Sequence, residues 1–183
     1  MPDVGRTPRT GADATGNVVL GLDPGTRHFG WGVVERRGTR LVHIGHGIVH
    51  ADERLPVAAR LVVIERDLVE VVRVHAPAVA SVEALFYAKD AQAAAKLGHA
   101  RGVALLVCAR AGLEIHEYAP ALVKRAVAGS GRAEKSQVAQ MIRVILGLTE
   151  VPRADAADAL ALAVTYLQHS PLLRAGMKSV PRR

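Results

Sequence analysis

Asn17–Gly25 reads NVVLGLDPG: a run of apolar residues, then an acid, then Pro-Gly. A short apolar run closed by turn residues is a buried strand, here with Asp23 at its carboxyl end. A second run of the same form lies further along, APAVASVE from Ala76 to Glu83, again closed by a single acid, Glu83. Between them, FGWGVVERRGTRLVHIGHGIVH (Phe29–His50) alternates as two strands joined at Gly38, and GLEIHEY (Gly112–Tyr118) adds a fifth strand. Leu61, Ile64, Leu68, Val71 and Val72 recur at helical spacing, which predicts a helix over Pro56–His75. Lys89–Ala111 reads as a long helix with many small residues. Val138, Met141, Ile142, Ile145 and Leu146 mark another, stopped by Gly147, and Leu160, Val164 and Leu167 mark the last.

Three hairpin-linked strands followed by strand–helix alternation imply an α/β fold, a mixed five-stranded sheet flanked by helices on both faces. Right-handed crossovers lay the fourth strand beside and parallel to the first. The chain has 183 residues, half of them hydrophobic, enough for one domain with a substantial core. Residues 1–17 are expected to be a disordered tail, 18–169 the domain, and 170–183, with Arg174, Lys178, Arg182 and Arg183 and no acid, a flexible basic tail. One cysteine, Cys108, excludes an intrachain disulfide and suits a reducing compartment. The polar amino-terminal residues contain no signal-peptide core, and no apolar run is long enough for a membrane span, so a cytoplasmic location is expected. The net charge of +7 and pI of about 10.2 point to a polyanionic partner, nucleic acid first and an acidic membrane surface second.

The carboxylates then need a reason. Asp23 and Glu83 end strands expected to be parallel neighbours, and ligands of open α/β sheets bind at such ends. In PRADAADALALAVTYL (Pro152–Leu167), Asp155 and Asp158 stand three apart on one face of an otherwise apolar helix. If that helix crosses the strand ends, four anions converge, an arrangement that makes sense only around cations. Oxygen ligation suits Mg²⁺ or Mn²⁺ and not zinc. Two such ions, ~3.5–4 Å apart, can clamp a phosphodiester. Plainer roles compete for each residue: Asp155 as an acid at a helix start, Asp23 as a turn residue, Glu83 as a strand-end surface charge. The Asp-x-Gly-Thr element also has the look of a phosphate loop in actin-like ATPases, but those need two lobes and this chain has room for one.

Four stretches together resemble the RuvC family of crossover junction endodeoxyribonucleases. They are GLDPGTRHFGWGV (Gly21–Val33), SVEALFYAKDAQAAAKLGHARGVAL (Ser81–Leu105), VKRAVAGSGRAEKSQV (Val123–Val138) and ADAADALALA (Ala154–Ala163). The likeness spans about Val18–His169. It implies a ribonuclease H-like fold, a homodimer, and Mg²⁺ or Mn²⁺ at Asp23, Glu83, Asp155 and Asp158. The implied activity is resolution of Holliday junctions, four-way DNA, by paired cuts in strands of like polarity. It also implies work alongside the branch-migration proteins RuvA and RuvB. Some members carry histidine where Asp155 stands, and Ala84 replaces a polar residue often found there.

Other residues fit such a reaction. Phe86 and Tyr87 follow Glu83 and are candidates to stack on an unpaired base, with a place in the core as the alternative. Lys124, Arg125, Arg132 and Lys135, with Arg143, form a basic region for phosphates, and the resemblance puts Lys124 and Lys135 near the catalytic centre. The helix start after Gly131 is a further phosphate candidate. Ala91, Ala94, Ala95, Gly98 and Gly102 make a small-residue helix face, either a dimer interface or a packing face inside the monomer. The eight histidines show no ligand spacing; His28, nearest the proposed site, is a candidate DNA contact.

Overall fold

The structure is a computed structural model that describes residues 17–84 and 91–177; side chains are described outside 91–93 and 170–177. The strands are β1 (Val18–Asp23), β2 (His28–Arg37), β3 (Arg40–His50), β4 (Val79–Glu83) and β5 (Glu114–Tyr118). They form one sheet in the order β3-β2-β1-β4-β5. β1 pairs antiparallel with β2, and β2 with β3; β4 runs parallel to both β1 and β5. The β2–β3 turn places Gly38 at φ 61°, where an L side chain is disfavoured. This is the expected mixed sheet with its fourth strand beside the first.

Period-two alternation sends each strand's side chains to two cores. On one face Leu20, Leu22, Phe29, Val33, Ala80 and Val82 pack against helices α1 (Val57–His75) and α2 (Ala91–Arg110). On the other, Val19, Val34 and Val79 pack against α4 (Lys135–Leu146) and α5 (Ala154–Met177). Helices thus cover both faces, as expected. Two elements depart from the sequence reading. A nine-residue helix, α3 (Pro120–Ala128), follows β5 directly with proline at its first position, where the missing N–H is no loss. And α5 continues to Met177, through the first part of the stretch expected to be a flexible tail.

α5 lies against the sheet because the strands beneath it carry glycine. A Cβ on Gly21 would overlap the carbonyl oxygen of Ala159, and one on Gly30 would overlap that of Asp155. Ser81, the one polar residue inside β4, is fully buried and donates its hydroxyl to the Leu162 carbonyl at 2.8 Å. These contacts fix the depth and register of α5 on β1 and β4. Among the described residues no helix is long and apolar enough to cross a membrane.

Candidate active site

The alternation that buries Val19 under α5 also turns Gly21 and Asp23 to that side; in β4 it turns Val79, Ser81 and Glu83. The parallel register pairs Leu22 with Val82, so Asp23 and Glu83 come next on adjacent strands. Asp158, in the second turn of α5, faces them. Asp23, Glu83 and Asp158 line one small cavity of about 80 Å³, closed by Pro120, Val123 and Lys124 of α3 and by Lys135 and Val138 of α4. Residues from β1, β4, α3, α4 and α5 therefore meet at the carboxyl ends of the parallel strands.

The electrostatics show how unbalanced the pocket is. Burial, then the charges of Asp158, Glu83 and Asp155, push Asp23 up to about 7 from the usual carboxylate range; Lys135 opposes the shift. Glu83 is also raised, first by burial and then by Asp158, against the pull of Lys135 and Lys124. Lys135 donates from Nζ to Oδ2 of Asp158 at 2.7 Å, which holds the ammonium's pKa above its ordinary value. Lys135 is the first residue of α4, held there by a capping box in which Glu134 and Gln137 exchange hydrogen bonds with each other's backbone. That helix start already accepts a carboxylate, Glu134, where the sequence suggested a phosphate.

Of the residues singled out from the sequence, Asp23, Glu83, Asp158, Lys124 and Lys135 come together. Asp155 acts on Asp23 through its charge but does not line the cavity. Arg125 is exposed on α3, away from the pocket lining, and Arg132 lines a separate groove with Ser130, Ser136 and Gln140. Arg143 is half-buried on α4, its Nε without a hydrogen-bond partner among the described residues. His28 pairs with His50 across β2 and β3, their rings edge-on at 5.2 Å. Phe86 and Tyr87 lie outside the described residues, as does the side chain of Ala91. Ala94 is half-buried and Ala95 exposed, and a Cβ on Gly98 or Gly102 would meet nothing within 4 Å among the described residues. Among the described residues, nothing packs against the small-residue face of α2 at those two glycines.

Sequence reasoning missed two supports. Arg101, buried on α2, donates to the Glu83 carbonyl at 2.8 Å and pairs with Glu117 of β5 at 2.7 Å, tying the strand end in place. Its signal was a cation followed by the apolar half of the helix, residues 102–108. Ser81 gave the same kind of signal in β4.

Among the described residues, no three Asp, Glu, His or Cys side chains already stand as a metal cage. The donor set nevertheless fits a hard divalent cation. It is all oxygen, and two of its carboxylates are raised by burial and then by neighbouring negative charge; the third is matched by one ammonium.

Known proteins resemble this chain in sequence and fold. The model of the family described as crossover junction endodeoxyribonuclease RuvC matches residues 19–166. A RuvC from Sorangium cellulosum is 56% identical over 168 residues, covering 90% of this chain and 94% of that protein. One from Rhodopseudomonas palustris is 52% identical over 151 residues, covering 82% and 87%. The solved structure of Thermus thermophilus RuvC in complex with Holliday junction substrate superposes with a TM-score of 0.78 at 38% identity, over 87% of this chain and 96% of that one. The yeast mitochondrial Holliday junction resolvase Ydc2 shares the fold, with a TM-score of 0.62 at 12% identity over 87% and 83%. The sheet is thus the ribonuclease H-like one expected, and the family match runs from β1 through the helix that brings Asp158 to Asp23 and Glu83. With its fold and four-fifths of its length in common with them, the chain belongs to the RuvC family of crossover junction endodeoxyribonucleases.

Proposed function

We propose that this chain resolves Holliday junctions by metal-dependent hydrolysis of phosphodiesters, with Asp23, Glu83 and Asp158 as the metal-binding carboxylates. The observation that carries the reading is their convergence in one cavity at the carboxyl ends of β1 and β4. Asp23, Glu83 and Asp158 would hold Mg²⁺ or Mn²⁺, two ions per site in this reading, which would supply the positive charge to activate water and to offset the charge on the leaving oxygen. The residues do the rest. Asp23 and Glu83, rigid at neighbouring strand ends, fix the spacing of the donor oxygens. Asp158, set by the seating of α5 on Gly21, closes the third side. Asp155 adds negative potential at Asp23. Lys135 neutralises Asp158 while the pocket is empty of substrate; released, its ammonium is placed to meet a non-bridging phosphate oxygen, with Lys124 beside it. Phe86 and Tyr87 are candidates for stacking at the branch point; Arg125 and Arg132 are candidate contacts to outlying phosphates.

A near two-fold-symmetric substrate calls for a two-fold enzyme. The open face of α2, with Ala95, Gly98, Gly102 and the exposed Leu106, supports a homodimer through that helix. Two identical sites then cut two strands of like polarity. Cooperation with RuvA and RuvB belongs to the same reading.

The deciding experiment compares a labelled four-way junction with a linear duplex, each with Mg²⁺, with Mn²⁺ and with chelator. Symmetric nicking of the junction alone, and only with metal, is expected. Equal cutting of linear duplex, or cutting in chelator, rejects the proposal.

A further inference from the structure

The turn that follows Asp23 serves two cavities. Asp23 lines the carboxylate pocket on the α5 side of the sheet; Gly25 and Thr26 line a second, wider cleft on the α1–α2 side. That cleft is basic. Arg27, Arg54, Arg60 and Lys96 line it against one carboxylate, Glu53. Arg27 pairs with Glu53 at 2.7 Å, and Arg54 with Asp52 at 2.6 Å. Arg60 and Lys96 have no carboxylate partner among the described residues.

Arg60 is the unusual one. It sits in the first turn of α1 and is only 9% exposed. Its Nη1 reaches the Thr26 carbonyl and hydroxyl oxygens, both at 3.4 Å, and its Nε has no partner among the described residues. A guanidinium is always charged and carries five donors, and burying one with so few acceptors is costly unless an anion completes the shell. The core around it needs no charge: Ile64 and Leu68 continue the same helix face with aliphatic side chains.

We propose that this cleft is a second phosphodiester-binding subsite, in which Arg60 and Lys96 hold a backbone phosphate of the DNA strand a few nucleotides from the cut. The inference rests on the nuclease reading above. The three residue steps from Asp23 to Thr26 can span at most ~10 Å, so a strand laid over the turn reaches both cavities. Held on both sides of the turn, the strand cannot slide along the pocket, and the scissile bond is set in register with the carboxylates.

The test is junction affinity in chelator, where no cutting occurs, measured by fluorescence anisotropy over a salt series. Arg60→Gln and Lys96→Gln are compared with the unmodified protein. Losing one phosphate contact is expected to weaken binding about three- to tenfold near physiological salt and to flatten the log–log salt slope by ~0.9. Lys96 is exposed, so its variant folds and decides the matter if Arg60→Gln does not. Unchanged slopes in the folded variants overturn the subsite. A melting temperature raised by inorganic phosphate through Arg60, with junction slopes unchanged, assigns the cleft to free phosphate and overturns it too. Junction cutting by the unmodified protein with Mg²⁺ is run alongside. Its absence rejects the nuclease reading, whereas normal cutting with unchanged slopes rejects the subsite alone.

Discussion

At Asp23, burial and three neighbouring carboxylates act in one direction, and only Lys135 opposes them. Its folded pKa of about 7 lies above the unfolded value of 3.8, so the folded state holds this proton more tightly. In metal-free protein its contribution therefore falls as pH rises from about 4 to about 7 and is lost above that. Asp23→Asn is expected to remove this slope and to stabilise the metal-free protein by roughly 1–3 kcal/mol at pH 8, with cutting abolished and junction binding kept. Thermal melts of both proteins in chelator from pH 4 to 8 check it; parallel curves contradict it. Lys135 is a different case. Its ion pair with Asp158 is largely solvent-exposed on the lysine side, so Lys135→Met should change stability by less than ~1 kcal/mol. Cleavage should nevertheless fall about a hundredfold, measured by single-turnover kinetics at saturating metal.

Elements place these residues, and α5 matters most. Gly21→Ala would drive a methyl into the Ala159 carbonyl and lift the helix that carries Asp158; a loss of about 2–4 kcal/mol in denaturant melts is expected. Gly102→Ala meets open space on α2 and should stabilise the isolated chain by ~0.5–1 kcal/mol through helix propensity. Gly102→Trp, in contrast, should shift the sedimentation profile of the proposed homodimer to monomer at unchanged secondary structure. The strands and the α5 carboxylates were legible because apolar runs ended in single acids and Asp155 and Asp158 kept helical spacing. α3 was not: its nine residues carry too few periods to stand out from the basic loop around them, and only Pro120 after Tyr118 marked its start. Nor was the end of α5, where Pro171 and the basic residues beyond it read as a tail. Arg60 was hidden for another reason: a single arginine at a helical core position looks like surface until the cleft around it is seen.

Across the whole molecule, a net charge of +7 surrounds a pocket of negative charge, and the two signs have separate work. The basic surface draws in DNA, so junction affinity should drop steeply with salt, by orders of magnitude between about 50 and 200 mM if several phosphates are met. The acidic pocket repels a phosphate until cations are present. Topology joins these tasks, since residues 23, 83 and 158, far apart in the chain, meet only because β4 returns beside β1 and α5 crosses both. That parallel return followed from chain order. Which lysine faces which carboxylate did not, because it depends on the rotation of α3 and α4 about their own axes. The most direct test of the convergence is anomalous diffraction from crystals of the full chain soaked in Mn²⁺. A peak among Asp23, Glu83 and Asp158, with the Lys135 ammonium moved off Asp158, is the expected result; manganese found only elsewhere, with the Lys135–Asp158 pair intact, would contradict it.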